Sequence, residues 1–92
     1  MHAADAIAAG YPDILTIHRA DADANRSLAL RKVDKVAGKH RDEYPPAMFR
    51  EGGAGASVRV INPKHNQSAG GYIRGMCHGL PDGARITIIT GD

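Results

Sequence analysis

The densest chemistry in this 92-residue chain is the run His40-Arg41-Asp42-Glu43-Tyr44-Pro45, where an imidazole, a guanidinium and two adjacent carboxylates occupy four consecutive positions. Together these groups supply a proton acceptor, an anion-binding fork and hard oxygen donors for a cation. The same four residues also make an ordinary surface salt-bridge cluster, and residue type alone does not separate the two. On a strand, side chains alternate, so His40, Asp42 and Tyr44 share one face and Arg41 and Glu43 the other. Both carboxylates reach one ion only where the strand twists or ends, and Pro45-Pro46 supplies such an end.

Other groupings are weaker. The remaining histidines, His2, His18, His65 and His78, are scattered without metal-ligand spacing, no HExxH pattern occurs, and each reads as a surface or structural residue. Gly52-Gly53-Ala54-Gly55 is not followed by Gly-Lys-Ser/Thr and leads into a strand, which excludes a phosphate-binding P-loop. A single cysteine, Cys77, excludes an internal disulfide framework and a cysteine-rich zinc site.

Positioning the central run requires flanking elements. Asp13 to Ile17 is apolar and β-branched after Tyr11-Pro12 and reads as a short buried strand. Asp21 or Asp23 caps a helix predicted to reach Val36, with Ala22, Ala29, Leu30, Val33 and Val36 inward and Gly38 as its stop. Arg41 to Phe49, with Tyr-Pro-Pro in its middle, reads as an edge strand or an extended segment with an irregular finish. Ser57 to Ile61 alternates cleanly as a strand. Asn66 caps a helix predicted from Gln67 to His78, with Tyr72, Ile73, Met76 and Cys77 as its apolar stripe. Pro81-Asp82-Gly83 makes a turn, and Ala84 to Thr90 forms a last strand. Tyr44 and Phe49 read as core residues. The alanine-rich residues 1–12 read as an extension prone to disorder, and residues 13–92 as the domain.

Composition sets the limits. Of 39 apolar residues 15 are alanine, so the core is thin, and one Phe, three Tyr and no Trp leave too little for an aromatic base-stacking platform. No apolar run approaches the roughly 20 residues of a membrane helix, and the start lacks the basic region of a signal peptide. The net charge of +2 is unevenly spread: residues 26–50 hold seven Lys and Arg against three acids, which suits either a solvated helix face or a phosphate-facing surface.

The stretch Arg41-Asp42-Glu43-Tyr44-Pro45-Pro46-Ala47-Met48-Phe49-Arg50-Glu51-Gly52-Gly53-Ala54-Gly55-Ala56 resembles the signature of the NucA/NucB family of small bacterial deoxyribonucleases. There an Arg-Asp-Glu-Trp/Tyr-Pro motif precedes a Glu-Gly-Gly loop. Val58 to Ile61, Asn62-Pro63, Asn66, Gly70 and the Asp82-Gly83-Ala84-Arg85 turn continue the match in register, over about residues 14 to 90. The resemblance implies an α+β fold: a small mixed sheet with two helices and a ββα-metal core similar to the His-Me finger nucleases. It further implies metal-dependent, largely sequence-independent endonucleolytic hydrolysis of DNA, with Mg²⁺ or Mn²⁺ as the cofactor.

On that resemblance Asp42 takes the place of the general base, Glu43 is a metal ligand or orienting carboxylate, Asn66 binds the metal through its side-chain oxygen, and Arg41 contacts phosphate. An aspartate near its ordinary pKa of about 3.9 is a weak base, so the role requires a metal-acidified water or burial. Glu51 is a further candidate ligand or a loop anchor. His40, Arg50, Lys64 and His65 are candidate substrate contacts. His40 and His65 stand where the family commonly has Asp, and His40 is a rival base if it faces the scissile bond beside Asp42.

Two further function classes fit the same residues: a non-catalytic DNA-binding module of the same fold, and a small interaction domain in which the Arg-Asp-Glu run is structural. For the nuclease, DNA is the partner, with an immunity or inhibitor protein as a second one, no membrane involvement, and secretion or delivery to another cell as the expected location.

Overall fold

The computed structural model describes residues 2–62 and 69–90. In chain order it has helix α1 (His2–Ala8), strand β1 (Ile14–Thr16), a 3₁₀ turn (Arg19–Asp21), helix α2 (Ala22–Leu30), strands β2 (His40–Tyr44) and β3 (Ser57–Ile61), helix α3 (Ala69–Met76) and strand β4 (Arg85–Thr87). The α+β class and the order of the central elements agree with the sequence reading. The arrangement of the strands does not.

In place of one mixed sheet there are two antiparallel pairs among the described residues. β1 pairs with β4, with Leu15 opposite Ile86, and β2 pairs with β3, with Asp42 opposite Arg59 and Tyr44 opposite Ser57. The reason lies in Pro45 and Pro46, which have no N–H to donate and end β2 before it can continue a ladder toward β1. A lone bridge between Ile17 and Phe49 joins the two pairs.

The second correction is a third helix. Residues 2–8, expected to lack order, form α1, because the alanines favour helix and place Ala3 and Ala6 in the core beside the buried His2. α2 is shorter than its apolar spacing predicted, ending at Leu30 rather than Val36. Its half-buried side is Ala22, Asn25, Ala29 and Leu30, a helical spacing. Beyond it the Val33 carbonyl, which a continuing helix would offer to residue 37, accepts the Arg41 guanidinium at 2.7 Å, and Val36 is exposed. α3 and β4 are likewise shorter than predicted, and the start expected at Gln67 lies outside the described residues.

The core is Leu15 of β1 and Ile17 just after it, Tyr44, Met48 and Phe49 around the end of β2, Ile73 of α3 and Cys77 just after it, and Ala3 and Ala6 of α1. Tyr44 and Phe49 are wholly buried, as the sequence led us to expect, whereas Met76 and Ile89, expected inside, face solvent. Burial at roughly 25 cal/mol per Å² of apolar surface makes the junction after β2 the chief source of cohesion, and it fixes the end of the Arg41-Asp42-Glu43 strand. Among the described residues no helix is long and apolar enough to cross a membrane.

Candidate functional site

β2 lies between helices. α1 packs on one side and supplies His2 to Asp42, while α2 supplies Arg26 to Glu43 from the other. Strand alternation explains the split: neighbouring residues point to opposite faces. The two carboxylates, adjacent in sequence, therefore have different partners and different surroundings.

Asp42 is buried, 4% exposed, and its Oδ2 is 2.8 Å from His2 Nδ1. The other ring nitrogen of His2 is 2.8 Å from Ser57 Oγ on β3. Glu43 is buried as well, yet one of its oxygens, Oε2, has no hydrogen-bond partner. Its Oε1 lies 3.7 Å from Arg26 Nε, too far for a hydrogen bond although close enough for charge attraction. Desolvation raises the Glu43 pKa above the ordinary 4.5, with the Asp42 charge adding to the rise while Arg26, the Ala47 backbone amide and Arg41 oppose it. A buried acceptor without a donor is uncommon in folded proteins, and a carboxylate oxygen in that position is chemically suited to a hard cation.

Both acids lie on a cleft of about 770 Å³ whose wall carries Arg19, Arg26, Lys35, Lys39, Arg41 and Arg74. Two buried acids thus sit beneath six cations, a charge pattern suited to a polyanion that brings a divalent ion with it. His40, at the exposed start of β2, also lines this cleft. Arg41 belongs to it but spends one guanidinium nitrogen on Val33, so it braces the 31–39 segment as well as facing the cleft.

Several residues singled out from sequence fall elsewhere. Glu51 accepts the Thr16 backbone N–H at 2.7 Å and so fastens the glycine loop to β1, which makes it an anchor rather than a cleft acid. Arg50 is exposed, and its backbone N–H bonds the Thr16 carbonyl; its side chain is not part of the cleft wall. Lys64, His65 and Asn66 lie outside the described residues. Gly53, buried with φ of 95°, sits where a Cβ would come within 2.9 Å of Asn25 Oδ1. Asn25 in turn donates to the carbonyls of Ala47 and Phe49, tying α2 to the turn after β2.

Six contributors escaped the sequence reading, Arg19, Lys35 and Lys39 among them. His2 is one, since an isolated histidine in an alanine-rich start carries no spacing signal. Arg26 and Arg74 are others, although Arg26 lies in the basic middle segment whose charge was noticed. Arg19 joins Asp82 by its backbone N–H and its guanidinium, and these bonds together with the guanidinium charge hold the Asp82 pKa below its usual range. A second guanidinium nitrogen reaches the Cys77 carbonyl, so Arg19 fixes the end of α3 beside the cleft.

The chemistry open to this site follows from its donors. Among the described residues no three His, Cys, Asp or Glu side chains converge as a closed metal cage. Mg²⁺ and Mn²⁺ do not require one: they favour oxygen ligands, and Mg²⁺ commonly keeps several waters beside one or two carboxylates. The unpartnered Glu43 Oε2 fits that demand.

Comparison with known proteins places the chain in a family. The family model for deoxyribonuclease NucA/NucB matches residues 10–89. The DNA-entry nuclease of Bacillus subtilis (strain 168) is 40% identical over 85 residues, covering 92% of this chain and 58% of that protein. This chain therefore spans less than two thirds of that relative's length, and it belongs to the NucA/NucB deoxyribonuclease family.

Proposed function

We propose that this chain is a metal-dependent deoxyribonuclease that cuts within DNA strands with little regard to sequence. The observation that carries the reading is Glu43, a buried carboxylate with one unpartnered oxygen, set in a cleft walled by six cations. The order β2, β3, α3, with α3 packed against β2, is the order a ββα-metal site needs. Family membership supports the substrate class.

Glu43 would hold the divalent cation, with Asn66 as the second donor that the family resemblance implies. When bound, that cation supplies charge neutralisation at the scissile phosphate and makes a nearby water more acidic. Asp42 takes the proton of the attacking water. Because one of its oxygens is held by His2, the carboxylate presents its remaining lone pairs from a fixed position. Arg41 and Arg26 bind phosphate oxygens at the acids, while Lys35, Lys39, Arg19 and Arg74 hold the backbone on either side. His40 contacts phosphate at the mouth of the cleft. Phosphate contacts carry no base information, which accounts for weak sequence preference.

Such an activity is hazardous to the cell that makes it, so the enzyme acts outside the producer, by secretion or by delivery into another cell, and a delivered form is accompanied by an immunity protein. Cleavage of an end-labelled DNA duplex in Mg²⁺ or Mn²⁺, compared with EDTA and with Asp42→Ala, tests the reading. Products that require both metal and Asp42 support it. Salt-sensitive binding by a folded protein that cuts in no metal overturns it in favour of a DNA-binding module.

A further inference from the structure

We propose that His2 is a positioning residue for Asp42, an inference that rests on the catalytic role given to Asp42 above. The imidazole comes from α1, whose residues 2–8 precede the 10–89 span matched by the family model. His2, Asp5 and Ala6 fall at helical spacings that share one face. That face lies on the β2–β3 hairpin: His2 reaches Asp42 and Ser57, Asp5 pairs with Arg59 at 2.9 Å, and Ala6 enters the core. The strand register explains why two helix residues suffice, since Asp42 is directly opposite Arg59, and Ser57 is two positions along.

Hydrogen-bond accounting fixes the direction at Nδ1, and for a neutral ring it fixes the direction at Nε2 as well. The ring is buried, so both nitrogens need partners, and both have one at 2.8 Å. An ionised carboxylate only accepts, so Nδ1 carries a proton and donates to Asp42 Oδ2. In the neutral ring Nε2 is then the acceptor, and the Ser57 hydroxyl donates to it. The relay Ser57 to His2 to Asp42 locks the ring tautomer and removes rotation of the carboxylate. Asp42 is also one of the residues that line the cleft. A carboxylate that must meet a water beside a bound phosphate gains rate from such fixing, because misplacement of a reacting group is costly.

The test is steady-state cleavage of a labelled duplex by the full chain carrying His2→Phe, which keeps a flat ring without donors, or His2→Asn, whose amide nitrogen stands near the place of Nδ1. The expected result is a fall in kcat of about 10- to 100-fold for His2→Phe at little changed KM, with most of the rate restored by His2→Asn. An unchanged or higher kcat in folded His2→Phe overturns the proposal, as does a loss carried by KM alone. Should His2→Phe fail to fold, nitrogen NMR of the unsubstituted protein decides. A protonated Nδ1 together with an Nε2 resonance that moves in Ser57→Ala supports the relay, and a proton on Nε2 alone refutes it. Absence of cleavage by the unsubstituted protein defeats the nuclease reading instead, and the nitrogen spectrum still reports whether His2 holds Asp42.

Discussion

Replacing Glu43 by glutamine is expected to make the protein more stable and inactive, and the size of the gain can be worked from its surroundings. The Oε2 atom is buried without a partner, and leaving such an atom unsatisfied costs about 1–3 kcal/mol, more when charged. Against that stands the Arg26 pair at 3.7 Å, whose guanidinium side chain is 58% exposed, and exposed pairs contribute only about 0–1 kcal/mol. The balance leaves the carboxylate a net liability of about 1 kcal/mol. Glutamine keeps the shape and removes the charge but leaves an uncharged polar group unpartnered at the same spot, so Tm should rise by less than the roughly 4–8 °C that the full 1 kcal/mol would give a domain of this size. A pH series adds an independent check. Because the Glu43 pKa is raised by burial, the folded chain keeps its proton at pH values where the unfolded chain has lost it. Stability therefore falls as pH rises from the ordinary 4.5 through the raised value, and the full penalty persists above it. Thermal melts of both proteins between mildly acidic and neutral pH measure this. The Glu43→Gln curve should diverge upward from the parent curve through that window and run parallel above it. A variant that melts lower than the parent at neutral pH, or that keeps the same pH slope, would refute the argument that Glu43 is an uncompensated buried charge.

Three other substitutions probe the scaffold. Glu51→Ala should lower stability by about 1–2 kcal/mol, through loss of the bond to the Thr16 amide, and leave kcat for DNA cleavage unchanged; loss of cleavage in a protein that melts normally would return Glu51 to the site. Tyr44→Phe removes a hydroxyl that donates to the Pro12 carbonyl at 2.8 Å and should cost about 1 kcal/mol in denaturant unfolding. Burial, with help from Asp13, pushes the Tyr44 pKa up to about 12, so the late phase of an ultraviolet tyrosine titration should vanish in the same variant. Gly53→Ala places a Cβ on a residue with φ of 95° and 2.9 Å from Asn25 Oδ1, and should destabilise by about 1–3 kcal/mol, with a Tm at least as high as the parent's as the contrary result.

What the sequence made legible was local. The run from Arg41 to Pro45, the alternating strand at Ser57 to Ile61 and the core roles of Tyr44 and Phe49 follow from short-range pattern, and the family resemblance adds their order. What it hid was set by distant contacts. α2 stops at Leu30 although apolar spacing continues to Val36, and the segment beyond it is tied to Arg41 through the Val33 carbonyl, a contact that no periodicity in residues 21–36 reveals. The α1 helix becomes ordered because Ala3 and Ala6 join the core and His2 finds partners 40 and 55 residues away. Alternation correctly placed Asp42 and Glu43 on opposite faces, but only the packing of α1 and α2 on those faces gives one acid a histidine and leaves the other with an empty oxygen. The role of Glu51 as an anchor was open in the sequence because its partner is a backbone amide, and backbone amides leave no trace in residue type.

The most direct test of the central claim is conversion of supercoiled plasmid by the unsubstituted chain and by Glu43→Gln at equal folded concentration, each in Mn²⁺ or Mg²⁺ and in EDTA. Nicked and then linear plasmid is expected from the unsubstituted chain in metal, and intact plasmid in the other three reactions. Cutting by Glu43→Gln at the parent rate, or cutting that survives EDTA, would contradict that claim.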